Sequence, residues 1–203
     1  MNITETFPLF EVPEHNNSNC LFIPVTVVDL NDALNNDGIL NKETRLTKFC
    51  PIPVKDGTPG DDSLIGTLGQ DILNGFDGND IIIGKQGNDY LFGGNGNDIL
   101  NGGKGSDNLN GGLGNDTLTG GAGSDSFTIG LRLGIKTISD FANGEERIFL
   151  NGPGFEQLSI SPVTNGTLIT VASTGEVLAV LIGVAPNLIG PEDFLVATTL
   201  ASF

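Results

Sequence analysis

A large apolar residue returns at every ninth position through the middle of the chain: Leu64, Leu73, Ile82, Leu91, Leu100, Leu109, Leu118 and Phe127. With a strand period of two, each such residue points inward while its two neighbours point outward, so each marks a short strand with one buried side chain. Between these strands lie glycine-rich polar segments whose composition favours tight turns. Residues 57–128 thus divide without a gap into eight nine-residue units, from GTPGDDSLI to GGAGSDSFT. One unit buries almost nothing against the entropy of ordering it, so it is stable only when stacked on copies of itself.

Past Phe127 the period stops and β-rich apolar segments take over. They predict strands over SFTI ending at Ile129, Ile135–Phe141, Arg147–Leu150, and from Leu158, Thr167 and Val177, with Asn143-Gly144 and Asn165-Gly166 among the turns. A stack of coils exposes apolar surface and strand edge at its end, and residues 129–203 are the natural β-rich cap. Upstream, residues 1–56 have a different character, partly ordered or disordered. Cys20–Leu30 predicts one buried strand, residues 29–44 a turn and a short helix, and Pro51–Gly60 a linker into the repeats.

Glycine fills the first and fourth places of every unit, and aspartate fills the sixth: Asp62, Asp71, Asp80, Asp89, Asp98, Asp107, Asp116 and Asp125. The two glycines are expected to supply positive φ angles for the turn. Stacked coils repeat at about 4.8 Å, so the aspartates would form carboxylate columns at that spacing. Neighbouring charges then repel by about 1 kcal/mol even at the dielectric of water. Asp is also an ordinary turn residue, but eight in register argue for a shared role. A cation between them resolves the repulsion, and carboxylate and carbonyl oxygens without imidazole or thiolate suit Ca2+ better than Zn2+ or copper. Mg2+ is disfavoured by its demand for octahedral geometry.

Charge sharpens this picture. The net charge is -16 and the sequence pI about 4.1, which argues against nucleic acid and anionic membrane surfaces as partners. Ten Asp and two Lys fall within residues 57–128, so the repeats carry half of that charge. An acidic, glycine-rich segment of this kind could be a disordered linker, but the regular apolar column argues for order.

The unit, generalised as GGxGxDxUx, resembles the repeat of the RTX, or hemolysin-type calcium-binding, family throughout residues 57–128. The resemblance implies an all-β fold: a parallel β-roll, a right-handed β solenoid of about four coils with two units per coil, followed by the β-rich cap. It implies ions held between a unit and the one two later, in two ladders. Asp62, Asp80, Asp98 and Asp116 form one ladder, and Asp71, Asp89, Asp107 and Asp125 the other, aided by backbone carbonyls near Gly75, Gly84, Gly93, Gly102, Gly111 and Gly120. About four to six Ca2+ ions follow from the gaps in the two ladders. The second place is glycine only in the last four units; Thr58, Thr67, Phe76 and Lys85 occupy it earlier, and the first turns are expected to bind more weakly.

DSFTI, ISDFANGEERIFL and EDFLV resemble the cap that follows such repeats, with Glu145-Glu146 and then Arg147 as a variation. The segment Glu192-Asp193-Phe194-Leu195-Val196 resembles part of a type I secretion signal, although seven residues follow it. The resemblance therefore implies a secreted, extracellular calcium-binding protein, handled by type I secretion machinery and folding when it meets Ca2+. Two alternatives stay open: a non-catalytic polysaccharide-binding or adhesion module for a cell-surface ligand, or the C-terminal part of a larger secreted RTX enzyme or toxin. Phe76, Tyr90 and Phe92 are few for an aromatic stripe.

Catalysis finds little support. HExxH and GxSxG are missing from the sequence, and His15, the single histidine, has no partner motif and reads as an exposed side chain. An EF-hand placed on Gly38 fails, because Ala33 and Thr44 fall where carboxylates are required. Cys20 and Cys50 would pair in an oxidising compartment and stay free in a cytosol. The opening residues lack the basic start and apolar run of a signal peptide, and no stretch approaches transmembrane length.

Overall fold

The computed structural model describes the backbone at residues 21–28, 42–49 and 52–196, and side chains from 52 to 195. His15, Cys20, Cys50 and the turn expected over 29–41 lie outside the described residues. The chain forms two units, Met1–Ile52 and Pro53–Phe203. In the first, β1 (Leu21–Val28) pairs antiparallel with β2 (Lys42–Phe49), Leu21 opposite Phe49 and Val28 opposite Lys42. β1 is the strand expected from the apolar run. β2 covers Lys42–Thr44, which were expected at the end of a short helix; pairing along its whole length with the apolar β1 holds it extended.

The second unit is an all-β parallel solenoid. Its repeat strands are β3 (Val54–Asp56), β4 (Ser63–Ile65), β5 (Ile72–Asp77), β6 (Ile81–Gln86), β7 (Tyr90–Asn95), β8 (Ile99–Lys104), β9 (Asn108–Leu113), β10 (Asp116–Ala122) and β11 (Ser126–Gly130). Ile81 pairs with Ile99 and Tyr90 with Asn108, so each strand meets the one two units later and two units make one coil. Odd- and even-numbered strands consequently build two separate sheets. β3 pairs with β5, so the expected linker already contributes the first strand.

The segment after the repeats continues this stack. β12 (Lys136–Ile138) pairs parallel with β10 and β13 (Arg147–Asn151) with β11. β16 (Val177–Ile182) and β17 (Phe194–Val196) extend the two sheets further, parallel to β12 and β13. Only β14 (Leu158–Val163) and β15 (Gly166–Val171) run antiparallel, closing one sheet beyond β16. The cap thus covers the roll by adding coils of its own composition. Among the described residues no helix is long and apolar enough to cross a membrane.

The eighth-place column forms the core between the sheets, each member 0% to 4% exposed. It runs on into Ile129, Ile138, Ile148, Leu150 and Leu181, with Phe127 against Phe141 at a ring separation of 6.3 Å. The seventh place points outward, and Ile99 beside buried Leu100 is 50% exposed. Leu100→Ala is expected to cost about 2 to 5 kcal/mol in chemical denaturation, whereas Ile99→Ala should cost well under half as much. Equal losses would contradict the inside–outside assignment.

Candidate metal centre

Each glycine-rich turn closes around its own sixth-place aspartate. Asp71, Asp80, Asp89, Asp98, Asp107, Asp116 and Asp125 are all buried. In each ladder the Oδ1 accepts the backbone N–H of the aspartate one coil earlier. Asp62 donates to Asp80, Asp80 to Asp98 and Asp98 to Asp116 at 2.8–2.9 Å. Asp71 donates to Asp89, Asp89 to Asp107 and Asp107 to Asp125 at 2.8 Å. One oxygen of each carboxylate from Asp80 to Asp125 is therefore spent tying coil to coil.

The second oxygen carries the chemistry. Oδ2 of Asp80, Asp89, Asp98, Asp107, Asp116 and Asp125 is buried and has no hydrogen-bond partner. A buried acceptor left without a donor costs about 1–3 kcal/mol, and more when it is charged. Here it recurs at the same place in six successive units. The first two units differ: Oδ2 of Asp62 accepts the N–H and hydroxyl of Thr58 at 2.6 and 2.9 Å, and Oδ2 of Asp71 accepts those of Thr67 at the same distances. Second-place threonine therefore satisfies the oxygen that later turns leave bare.

Backbone carbonyls crowd the same spot. A Cβ built on Gly75 would overlap both Asp80 Oδ2 and the Gly93 carbonyl, and one on Gly93 would overlap Asp98 Oδ2 and the Gly111 carbonyl. The pattern repeats for Gly57, Gly66, Gly84 and Gly102, so the carbonyls of Gly75, Gly84, Gly93, Gly102, Gly111 and Gly120 all border a ladder carboxylate. The first-place glycine is thus required by space. This corrects the expectation that it supplies a positive φ: the left-handed residues are the fourth-place glycines from Gly78 onward and the second place, where even Phe76 and Lys85 adopt φ of 77° and 86°.

Such a set of inward carboxylate and carbonyl oxygens fits a hard cation. Burial pushes the Asp98 and Asp107 carboxyls up to about 6, opposed by the N–H bond from the preceding rung and reinforced by neighbouring rungs. Burial raises Asp89 and Asp125 as well.

Some of the arrangement was not anticipated. The fifth place forms a second ladder, in which the N–H of Asn97 donates to Asn79 Oδ1 and that of Asn115 to Asn97 Oδ1, at 2.9 and 2.8 Å. Its signal was the unbroken run of polar residues there: Asp61, Gln70, Asn79, Asn88, Asn97, Ser106, Asn115 and Ser124. The aspartate ladders also continue past the repeats. Lys136 stands in register with Asp116, and Glu146 falls in register with Asp125 because Arg147 pairs with Ser126. Glu146 is buried, and burial pushes its carboxyl up to about 7, with Asp140, Asp125 and Glu145 adding repulsion. Asp140 is held by the N–H groups of Gly120 and Gly121 at 3.0 and 2.8 Å.

Residues 56–91 and again 92–127 match the family model described as the RTX calcium-binding nonapeptide repeat (4 copies). No curated protein matches the chain. Among solved structures, a subunit of the Azotobacter vinelandii mannuronan C5-epimerase is similar at 26% identity, over 72% of this chain and 84% of that one, with a TM-score of 0.45. A second subunit of that epimerase is similar at 24% identity, over 75% and 96%, with a TM-score of 0.34. The extracellular lipase LipA from Serratia marcescens is similar at 15% identity, over 70% of this chain and 39% of that one, with a TM-score of 0.36.

The raised carboxyls fix the pH response of the metal-free protein. Folded Asp98, Asp107 and Glu146 hold protons, up to about 6 to 7, that the unfolded chain releases near its ordinary values of 3.8 and 4.5. Stability from these groups is therefore fully present below the unfolded values and is lost as pH rises through about 6 to 7. The β signal of metal-stripped protein in far-UV circular dichroism should therefore fall between about pH 4 and 7. A flat or rising signal would contradict the burial of these carboxylates.

Proposed function

We propose that the RTX calcium-binding nonapeptide repeats of residues 56–127 form an extracellular module that folds by binding Ca2+ between successive coils. The observation that carries this reading is the buried Oδ2, without a hydrogen-bond donor in six successive units and with no cation beside it in five of them. Asp80 and Asp98 on one side, and Asp89, Asp107 and Asp125 on the other, would hold the ions, with first-place carbonyls from Gly93, Gly111, Gly102 and Gly120 beside them. Bound Ca2+ supplies the positive charge that the two carboxylate columns need. Without it the columns repel, and the roll lacks a compensating term for ordering its glycine-rich turns.

Asp62 and Asp71 belong to the ladders but are satisfied by Thr58 and Thr67, which supports weaker binding in the first turns. Of the six bare Oδ2 atoms, that of Asp116 faces the ammonium of Lys136 at 2.8 Å. Five remain without a cation beside them. Extracellular modules are tuned to Ca2+ at roughly 10⁻⁴–10⁻³ M, so the repeats would stay unfolded where free Ca2+ is scarce and fold outside. That behaviour suits passage through type I secretion machinery. A polysaccharide or cell-surface ligand has less support, because exposed Phe76, Tyr90 and Phe92 occupy only the neighbouring strands β5 and β7. The module reads as non-catalytic, and a catalytic partner would lie elsewhere in a larger protein.

The test is a far-UV circular dichroism titration with CaCl2, repeated with MgCl2. The expected result is a cooperative gain of β signal with Ca2+ alone. In a variant carrying Asp98→Ala, Asp107→Ala and Asp116→Ala the midpoint should move at least about tenfold higher, since each change removes a charged contact. A chain already folded in chelator and unmoved by Ca2+ would reduce the aspartates to turn residues on a passive scaffold.

A further inference from the structure

The ladder of Asp62, Asp80, Asp98 and Asp116 ends one coil further on, at a residue of opposite charge. Lys136 occupies the rung in register with Asp116 and is fully buried. A buried ammonium is strongly unfavourable unless its donors and its charge are both answered. Both are answered here. The three N–H donors of Nζ have three carbonyl acceptors, those of Gly112, Gly114 and Leu133 at 2.8, 2.9 and 2.6 Å. Asp116 Oδ2 lies 2.8 Å from the same nitrogen as its counter-charge.

The turn that carries Lys136 copies a repeat turn without the repeat sequence. The N–H of Gly114 donates to the Leu133 carbonyl at 2.8 Å, as that of Gly96 donates to Leu113 and that of Gly78 to Asn95. Gly134, opposite Gly114, takes a positive φ of 85° as the fourth-place glycines do. Every oxygen around the ammonium consequently has a counterpart between earlier coils. These are the second- and fourth-place carbonyls of one turn, the third-place carbonyl of the next turn in the stack, and the sixth-place carboxylate. For the coil pair before it, they are Gly94, Gly96, Leu113 and Asp98.

We propose that Lys136 is a resident cation: between the last two turns of this ladder its ammonium fills the role that Ca2+ fills between the earlier ones. The inference rests on the calcium reading above and adds two consequences. The Asp116–Lys136 step takes up no calcium. On this ladder the C-terminal turns around it are neutralised without metal, so they are ordered in chelator and offer a strand edge on which the calcium-dependent coils add. The opposite ladder has no such device, since its next rung is the carboxylate of Glu146 beside Asp125 and Asp140.

Native mass spectrometry at saturating CaCl2 counts the ions directly. Lys136→Asp replaces the ammonium with a further carboxylate rung, and the folded variant should bind one more Ca2+ than the unaltered chain. An equal or smaller count in a variant that still gains β signal with Ca2+ would overturn the proposal. Hydrogen exchange in chelator gives a second arm that needs no variant to fold. Amides of residues 114–118 and 133–138 should be protected while those of 76–100 exchange freely, and Lys136→Met should abolish that protection. Absence of protection in the unaltered chain, or its persistence in Lys136→Met, would also overturn it. If the unaltered chain binds no Ca2+ at all, the calcium reading itself falls; if it binds Ca2+ and either arm fails, only the role of Lys136 does.

Discussion

A carboxylate with one oxygen bound and one oxygen bare is the unit on which this structure depends. The bound Oδ1 fixes the vertical register of the stack, since it holds the N–H of the preceding aspartate 18 residues away. The bare Oδ2 makes that register electrostatically costly. The same residue thus builds the solenoid and, on the proposed reading, makes it conditional on a cation. A neutral acceptor such as asparagine could make the first contact, and the fifth-place ladder does so with Asn79 and Asn97. Only a carboxylate supplies the unbalanced charge.

The glycines follow from that arrangement. First-place glycine is small because an aspartate oxygen and the carbonyl of the next coil lie where its Cβ would be. Second- and fourth-place residues are bent into left-handed backbone so that their carbonyls face the neighbouring turn, and Phe76 and Lys85 adopt that conformation at a strain cost of about 1–2 kcal/mol each. The apolar column is simpler: one Leu, Ile or Phe per unit meets its opposite numbers between two sheets. Burial holds the sheets together, while charge decides the conditions under which the turns close.

Periodicity made most of this legible. The eighth-place core follows from residues that repeat without exception, the two ladders and the pairing of alternate units from the resemblance to the RTX repeat, and the strands at Arg147 and Val177 from apolar runs between turn signals. What escaped was aperiodic or had two explanations. Lys136 and Glu146 lie in coils longer than the repeat, with Ile135 reaching back 20 residues to Asn115, so no spacing pointed to them. Thr58 and Thr67 were visible as departures, but their grip on Asp62 and Asp71 needed coordinates. First-place glycine was assigned to backbone freedom when the cause was space, because sequence gives the residue type and not the atom it avoids. β3 was hidden by prolines around Val54, and β17 by its brevity.

The central claim is that cations sit between successive aspartates of both ladders. Anomalous X-ray scattering from crystals grown in CaCl2, collected at a long wavelength, locates them without reference to the protein's chemistry. The account predicts peaks beside the bare oxygens of Asp80, Asp98, Asp89, Asp107 and Asp125, and none between Asp116 and Lys136. Ladders without peaks, their carboxylates bonded to solvent alone, would contradict it.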